Sequence, residues 1–229
     1  MVDCGLSLKA VEQRLGQLGK SPVDVSALLV THEHSDHIQG VARFARRWGT
    51  PVYMTPGTAS SRSAAGITGL STVNCHREFE IENISVQPFP VPHDAREPCQ
   101  FAFSGGGRRL GVLTDTGHIT SHISDHLTGC DALAIESNHD PERLRRGPYP
   151  AAIKSRVAST VGHLNNGQAA ELLQTIGHED LQWVVALHIS EQNNSRDEVR
   201  AALSGALVNG ADTLHLAEQD TPSDWFEIV

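Results

Sequence analysis

The sequence predicts a layered α/β domain in which helices cover a mixed β-sheet. Short apolar runs rich in β-branched residues alternate with segments of helical hydrophobic spacing. Two of these runs, 131–135 and 183–187, are almost continuously apolar, which is typical of strands at the buried centre of a sheet. The chain has no repeat, low-complexity tract or long linker, so we expect a single domain over residues 1–229.

Each element is predicted from its local pattern. Apolar residues spaced three or four apart predict a first helix that ends near Gly19. From Phe79 to Val91 apolar and polar residues alternate around a turn at Glu82-Asn83, and a Ser-Gly-Gly-Gly run at 104–107 predicts a hairpin. The predicted strands are 27–31, 51–54, 79–91, 100–103, 109–114, 131–135, 183–187 and 213–217; the predicted helices are 8–18, 38–48, 119–127, 151–160, 165–176 and 196–206.

Composition narrows the possible class of protein. We expect no membrane span and no signal peptide, because no apolar run approaches about 20 residues and the first residues are neither basic nor apolar. The 4 cysteines are scattered without a C-x-x-C pair, which indicates reduced thiols in a cytoplasmic protein. The net charge of −9 argues against a protein that coats nucleic acid non-specifically. The net charge does not exclude an enzyme that binds phosphodiesters only at a cleft made positive by metal ions.

The most informative segment is the run His32-Glu33-His34-Ser35-Asp36-His37. It follows a predicted strand, so we expect it on a loop at the carboxyl end of that strand, where α/β sheets present binding groups. Imidazole and carboxylate in alternation suit zinc or manganese. His32 and His34 can face one ion while Asp36 and His37 face a second. The alternative is a polar surface loop, but so many potential ligands in so short a segment favour a metal site.

Three more potential ligands close predicted strands. His93 follows an extended run, Asp115 follows the strand 109–114, and His188 follows the strand 183–187. Taken singly, His93 could belong to a turn, Asp115 could cap a helix, and His188 could be a core histidine. Their common position at strand ends, in a chain with the histidine-rich segment, favours the ligand role for all three.

The order H-x-H-x-D-H, His, Asp, His resembles the metallo-β-lactamase superfamily, and the resemblance covers nearly the whole chain. It implies a four-layer αββα sandwich with two divalent metal ions, zinc or manganese, and an open position for a bridging hydroxide. Under this resemblance His32, His34 and His93 hold one ion, Asp36, His37 and His188 hold the other, and Asp115 bridges them.

Further stretches resemble the YycJ/WalJ-type group of this superfamily; they are residues 3–7, 114–117, 136–140, 147–150, 162–166 and 187–194. That resemblance implies a metal-dependent nuclease with 5′-to-3′ exonuclease activity on DNA. The pair Gly162-His163 before a helix is also similar to tRNA-processing phosphodiesterases, which implies that His163 lies near the scissile phosphate; the alternative is a surface histidine near a helix start. Members usually begin about 25–30 residues earlier, with the first strands. Either the start of this sequence is called too late or the chain is a genuine truncation, and a genuine truncation would leave a sheet edge exposed.

The resemblance and the residue types together suggest catalytic and substrate-binding roles. Asp36 and Asp115 would hold the ions, and His163 would bind the phosphate or protonate the leaving oxygen. Asn138 and His139 follow the strand 131–135; this segment could contact substrate, support a histidine ligand or cap a helix. A basic cluster downstream is either a nucleic-acid track or ordinary solvated surface, and its predicted substrate-binding members are Arg145, Arg146, Lys154 and Arg156.

Three functions are compatible with these observations. The leading hypothesis is a dinuclear phosphodiesterase acting on nucleic acid, foremost a DNA exonuclease. The first alternative is a hydrolase of small thioesters or lactones, which would not need His163 or the basic cluster. The second is a non-catalytic, truncated metal-binding protein. The sequence leaves the oligomeric state, the polarity of hydrolysis and the choice of zinc or manganese open.

Overall fold

Contacts within the chain group its residues into two units in the computed structural model, which describes residues Met1–Val229. Unit 1 comprises Met1–Pro90, Ala95–Cys99 and Gln219–Phe226, and unit 2 comprises Val91–Asp94, Gln100–Glu218 and Glu227–Val229. The single domain predicted over residues 1–229 stays a prediction. None of the helices combines the length and the apolar character that crossing a membrane requires.

Unit 1 contains a parallel sheet of three short strands and an antiparallel hairpin. The sheet has the order β1 (Leu28–Leu29), β2 (Val52–Met54), β3 (Leu70–Thr72). The hairpin joins β4 (Phe79–Ile81) to β5 (Ile84–Pro90) at the predicted turn. The helices are α1 (Leu8–Gln17), α2 (Ser35–Ile38), α3 (Val41–Trp48) and α4 (Pro56–Ala59).

The core of unit 1 forms where one face of α3 meets the parallel strands. Val41, Phe44 and Ala45 are spaced three and four residues apart and are buried. They belong to one apolar cluster with Leu28 of β1 and Val52 of β2. The apolar face of α3 is therefore covered by the strand that precedes the histidine-rich segment and the strand that follows α3.

Unit 2 contains a mixed sheet whose strands lie side by side in chain order. They are β6 (Cys99–Gly105, in unit 2 from Gln100 onwards), β7 (Arg108–Leu113), β8 (Ala132–Glu136), β9 (Trp183–Leu187) and β10 (Leu214–Leu216). The hairpin of β6 and β7 is antiparallel, and the pairs from β7 to β10 are parallel. The carboxyl ends of β7, β8 and β9 consequently meet at one edge of the sheet.

Four of the five helices of unit 2 begin at a side-chain cap. The five helices are α5 (Ser121–Leu127), α6 (Pro141–Arg146), α7 (Ala151–Val157), α8 (Asn166–Ile176) and α9 (Arg196–Leu203). Helix α7, with Pro150 at its N-cap, has no side-chain cap. Thr120, Asp140, Asn165 and Ser195 each accept a hydrogen bond from the first turn of α5, α6, α8 and α9, respectively. Helix α8 contacts both α5 and α9.

Most predicted elements are present within a few residues, and the mixed α/β class is confirmed. The predicted helix 151–160 ends earlier, at Val157, because the chain turns back and His163 donates its backbone N–H to Val157 O at 2.9 Å. Helix α6 and strand β3 were not predicted as elements. The first is a six-residue helix and the second a three-residue strand, Leu70-Ser71-Thr72, and both are too short to show a hydrophobic period.

Replacement of Phe44 by alanine tests the packing of unit 1. Phe44 is fully buried in its cluster, so Phe44→Ala should lower the free energy of unfolding by about 3–5 kcal/mol through lost apolar burial and the cavity left behind. Denaturant unfolding followed by circular dichroism measures this change. The control Val23→Ala removes a side chain that is 68% exposed and should change stability by about 0.5 kcal/mol or less. Equal effects of the two substitutions would contradict the assigned core.

Candidate metal centre

The histidine-rich segment of unit 1 is only partly a loop. His32 lies after β1, as predicted, but Ser35–Ile38 form the short helix α2, with His34 at its N-cap. The N–H groups of His37 and Ile38 both donate to His34 O, at 3.0 and 3.1 Å. The expectation of a loop throughout is therefore wrong for Asp36 and His37, which lie on this helical turn.

The predicted ligands of this segment lie close together. His32 Nε2 is 2.9 Å from His34 Nδ1, and the His32 and His37 rings are 4.2 Å apart between centroids. His37 Nε2 is 3.5 Å from Asp36 Oδ2. His32 and His37 are buried, whereas Asp36 is exposed. Unit 1 thus gathers three imidazoles and one carboxylate from six consecutive residues.

The carboxylate of Asp3 holds this segment, a role that we did not assign from the sequence. Asp3 accepts hydrogen bonds from Thr31 N at 2.8 Å, from Thr31 Oγ1 at 2.9 Å and from His37 Nδ1 at 2.7 Å. Because an ionised carboxylate can only accept, the proton of His37 is on Nδ1, and Nε2 is the nitrogen suited to a metal. Asp3 has a φ of +54°, an unusual value for a non-glycine residue that indicates a constrained position.

The residues after Asp3 pass directly against α2. Cys4 N donates to His37 O at 2.7 Å. A Cβ atom on Gly5 would lie 1.6 Å from Asp36 O, a distance that no side chain tolerates. Gly5 is therefore required for the close approach of this segment to helix α2.

In unit 2, the parallel strands bring polar side chains to one edge of the sheet. Asp115 follows β7, Glu136 ends β8 and His188 follows β9. Asp115 and His188 have φ values of +49° and +55°, and such left-handed conformations cost about 1–3 kcal/mol each and cluster at functional sites. With His163, these residues form a group in which one potential ligand atom of each lies within 4.8 Å of the others.

Glu136 is the centre of this group. It has no exposed surface and accepts hydrogen bonds from His163 Nδ1 at 2.7 Å, His188 Nδ1 at 3.0 Å, Thr116 N at 3.1 Å and Leu164 N at 3.2 Å. Burial alone would raise the pKa of this carboxyl, but the hydrogen bonds from the two imidazoles outweigh burial and lower its pKa. Glu136 is therefore an ionised acceptor that fixes the Nδ1 protons of both histidines.

Glu136 is not among the site residues predicted from the sequence, although its position at the end of a strand indicates such a role. Asp115 and His188 were selected because they close strands, and Glu136 closes the strand between them. The same rule applied to a glutamate at the end of an apolar run would have included it.

His93 lies beside this group in unit 2. Its Nδ1 donates to Gly162 O at 3.0 Å, and its ring centroid is 5.3 Å from that of His163. Its Nε2 lies 4.0 Å from Asp115 Oδ1. Burial lowers the pKa of His93, and nearby Asp115 opposes this effect only in part. The neutral imidazole, the form that binds metals, is thereby favoured.

The segment 138–140 serves several purposes. Asn138 Nδ2 donates to His188 O at 3.0 Å, which supports the strained backbone of that histidine. Asp140 Oδ1 accepts from Arg143 N at 2.8 Å and caps α6. His139 is buried between them, and burial lowers its pKa to about 4. The hydrogen bond to His188 O and the cap of α6 correspond to the predicted support and cap alternatives. Substrate contact by Asn138 and His139 stays a prediction.

The predicted basic track consists of three exposed arginines and the half-buried Lys154, all with partners within the chain. Arg145 and Arg146 both pair with the carboxylate of Glu142. Arg156 donates two hydrogen bonds to Asp94, at 2.5 and 3.0 Å, and Lys154 Nζ donates to Arg145 O at 2.9 Å. The cluster retains two guanidinium groups for the single carboxylate of Glu142, so it is locally positive.

The donor sets in both units fit divalent metal ions. Each combines imidazoles with carboxylates, and each contains a carboxylate that fixes a histidine through Nδ1, namely Asp3 in unit 1 and Glu136 in unit 2. Such outer carboxylates are the usual partners of metal-binding histidines. The residue types suit zinc or manganese and do not discriminate between them.

Comparisons with known proteins agree with this chemistry. A family model described as the beta-lactamase superfamily domain matches residues 1–189. Exodeoxyribonuclease YycJ of Bacillus anthracis is 36% identical over 215 residues, which cover 90% of this chain and 80% of that protein. Exodeoxyribonuclease WalJ of Streptococcus pneumoniae is 33% identical over 215 residues, which cover 91% of this chain and 80% of that protein.

A solved structure shows the fold independently. The metallo-beta-lactamase fold protein YhfI from Bacillus subtilis superposes with a TM-score of 0.69, at 12% identity, over 95% of this chain and 83% of that protein. At this identity the likeness establishes the fold alone, and it confirms the predicted fold class. The chain belongs to the metallo-β-lactamase superfamily and is a metal-dependent hydrolase of the YycJ/WalJ-like group.

Proposed function

We propose that this hydrolase is a nuclease that cleaves phosphodiester bonds in DNA, from the 5′ end, with two divalent metal ions. The observation that carries the proposal is the strand-edge group of Asp115, Glu136, His163 and His188. It occurs in a chain that is 36% identical to a protein named an exodeoxyribonuclease. The His163–Glu136 hydrogen bond supports phosphodiesterase chemistry, since a thioester hydrolase would not need a second proton-transfer group beside its metals.

The proposed ligands are those implied by the order of the motif. One ion would be held by His32, His34 and His93. The other ion would be held by Asp36, His37 and His188, and Asp115 would bind both ions. Each unit supports this assignment separately. In unit 1 the imidazole nitrogens of His32 and His34 are neighbours, and in unit 2 the strand-edge group gathers potential ligand atoms. Zinc and manganese both suit these ligands.

The residues of the chain have separate roles in the proposed reaction. When bound, the divalent ions would supply Lewis acidity and lower the pKa of water. The carboxylates of Asp36 and Asp115 would offset part of the positive charge of the metal ions. Glu136 holds His163 through Nδ1, so Nε2 of that imidazole would bind a phosphate oxygen or protonate the leaving oxygen.

The first test is hydrolysis of 5′-phosphorylated duplex DNA with manganese or zinc. We expect stepwise release of nucleotides by the wild-type chain and a loss of about 100-fold or more in Asp36→Asn, which keeps the side-chain size but weakens metal binding. Asp125→Asn, an exposed acid on α5, is the matched control and should leave the rate unchanged. Turnover of a thioester with no action on DNA would refute the nuclease proposal, as would full activity of Asp36→Asn.

The role of Glu136 is tested by metal binding. Glu136→Gln removes the charge that holds the Nδ1 protons of His163 and His188, so the affinity for zinc or manganese should fall about 10- to 100-fold. Isothermal titration calorimetry measures the affinity and elemental analysis the number of ions. Glu171→Gln on the exposed face of α8 serves as the control. Wild-type affinity in Glu136→Gln would exclude the supporting role.

The basic track is tested by the salt dependence of DNA binding. The double variant Arg145→Ala/Arg146→Ala should weaken binding and lower the slope of log K against log salt by about 1 to 2, because each guanidinium neutralises one phosphate. Fluorescence anisotropy at several salt concentrations measures the slope. The control Arg108→Ala removes an arginine paired with Asp131 at the opposite end of β7 from Asp115. An unchanged slope in the double variant would show that the track is ordinary surface.

A further inference from the structure

We propose that a cavity in unit 2 is a subsite for one nucleotide, the terminal nucleotide of the DNA strand that is being degraded. The cavity has a volume of about 370 Å³ and lies among α6, α7 and the start of α8. This volume is at the small end of the range for sites that bind small molecules. It suits a single mononucleotide rather than a continuing strand. The identification of the ligand as the end of a DNA strand rests on the proposed nuclease function. The binding of a nucleotide in this cavity does not depend on that function.

The cavity adjoins the strand-edge group through a shared residue. His163 lines the cavity and also donates to Glu136 through Nδ1. A nucleotide held in this cavity would therefore have its 3′ oxygen, the leaving oxygen of the proposed 5′-to-3′ reaction, beside His163. A terminal subsite adjacent to that histidine would release one nucleotide in each cycle.

A buried histidine lines the cavity without its full set of hydrogen bonds. His139 is 2% exposed and is one of the lining residues, and its Nδ1 has no hydrogen-bond partner. Buried polar atoms are nearly always paired, so this imidazole is unusual in having no protein partner at Nδ1. Nδ1 itself has no exposed surface, so it does not face the cavity. The other ring nitrogen, Nε2, would be the atom that bonds to the edge of a base or to a sugar hydroxyl.

The rest of the lining matches the other parts of a nucleotide. Lys154 and Arg145 supply positive charge for a phosphate, and the ammonium of Lys154 uses one donor on Arg145 O. Pro141, Leu144 and Ala158 supply apolar surface against which a base could pack. In a chain of net charge −9, a cavity with two cations is a local exception that favours an anionic ligand.

The test is binding of dAMP to the purified full chain in excess EDTA, so that metal ions and hydrolysis play no part. We expect saturable binding by calorimetry, with inorganic phosphate and deoxyadenosine each binding at least about tenfold more weakly, because each lacks one half of the recognised groups. Oligonucleotides with a 5′-phosphate should compete with dAMP. Failure of dAMP to bind, equal binding of phosphate alone, or failure of the oligonucleotides to compete would overturn the subsite.

Two variants locate the binding. Ala158 is exposed and lines the cavity, so Ala158→Phe should fill the cavity and abolish dAMP binding. The control is Ala152→Phe, at an exposed position of α7 outside the cavity, which should leave dAMP binding unchanged. His139→Phe should weaken dAMP binding about tenfold. Its melting temperature should not fall, because Nδ1 has no hydrogen bond to lose. Wild-type binding in Ala158→Phe and His139→Phe would overturn the assignment.

The outcomes separate this inference from the proposed nuclease function. Binding of dAMP that Ala158→Phe abolishes would uphold the subsite even if the metal-loaded chain left DNA intact. Hydrolysis of DNA by a chain that does not bind dAMP would uphold the nuclease and overturn the subsite.

Discussion

The buried carboxylate of Glu136 is the constraint on which the arrangement of unit 2 depends. An ionised carboxylate without exposure to water is costly unless hydrogen bonds compensate for the lost hydration. Here two imidazoles and two backbone N–H groups provide that compensation. These donors come from the turn after β7, from the segment before α8 and from the end of β9. Satisfying Glu136 with these donors brings the three segments together, and with them His163 and His188.

The same physical solution recurs in unit 1 with different residues. Asp3 accepts from Nδ1 of His37 and from the backbone and hydroxyl of Thr31, which precedes the histidine-rich segment. In both units a carboxylate that is not itself a predicted ligand fixes the proton on a predicted ligand histidine and leaves the other nitrogen available. The left-handed backbone at Asp3, Asp115 and His188 indicates that strain is concentrated at these positions.

Local sequence patterns were sufficient for most elements because hydrophobic periodicity and turn chemistry are local properties. The hairpin at Glu82-Asn83 and the central strands β8 and β9 were predicted within about one residue of their observed ends. The patterns failed where an element is short or is held by distant partners. Helix α2 begins inside the ligand segment and has no period of its own, and α7 ends because the following residues turn back towards β8.

By itself, the sequence determined the fold class, the family and the identities of the predicted ligands, because residue types at strand ends and one dense motif carry that information locally. The tertiary structure alone decided the hydrogen-bond partners of Asp3 and Glu136 and the unpaired state of His139 Nδ1. The hydrogen bond between Asp3 and His37 spans 34 positions, and that between Glu136 and His188 spans 52. The unpaired nitrogen of His139 is defined by what surrounds it after folding. A local pattern records none of these relations, because burial and hydrogen-bond partners exist only once distant segments have packed.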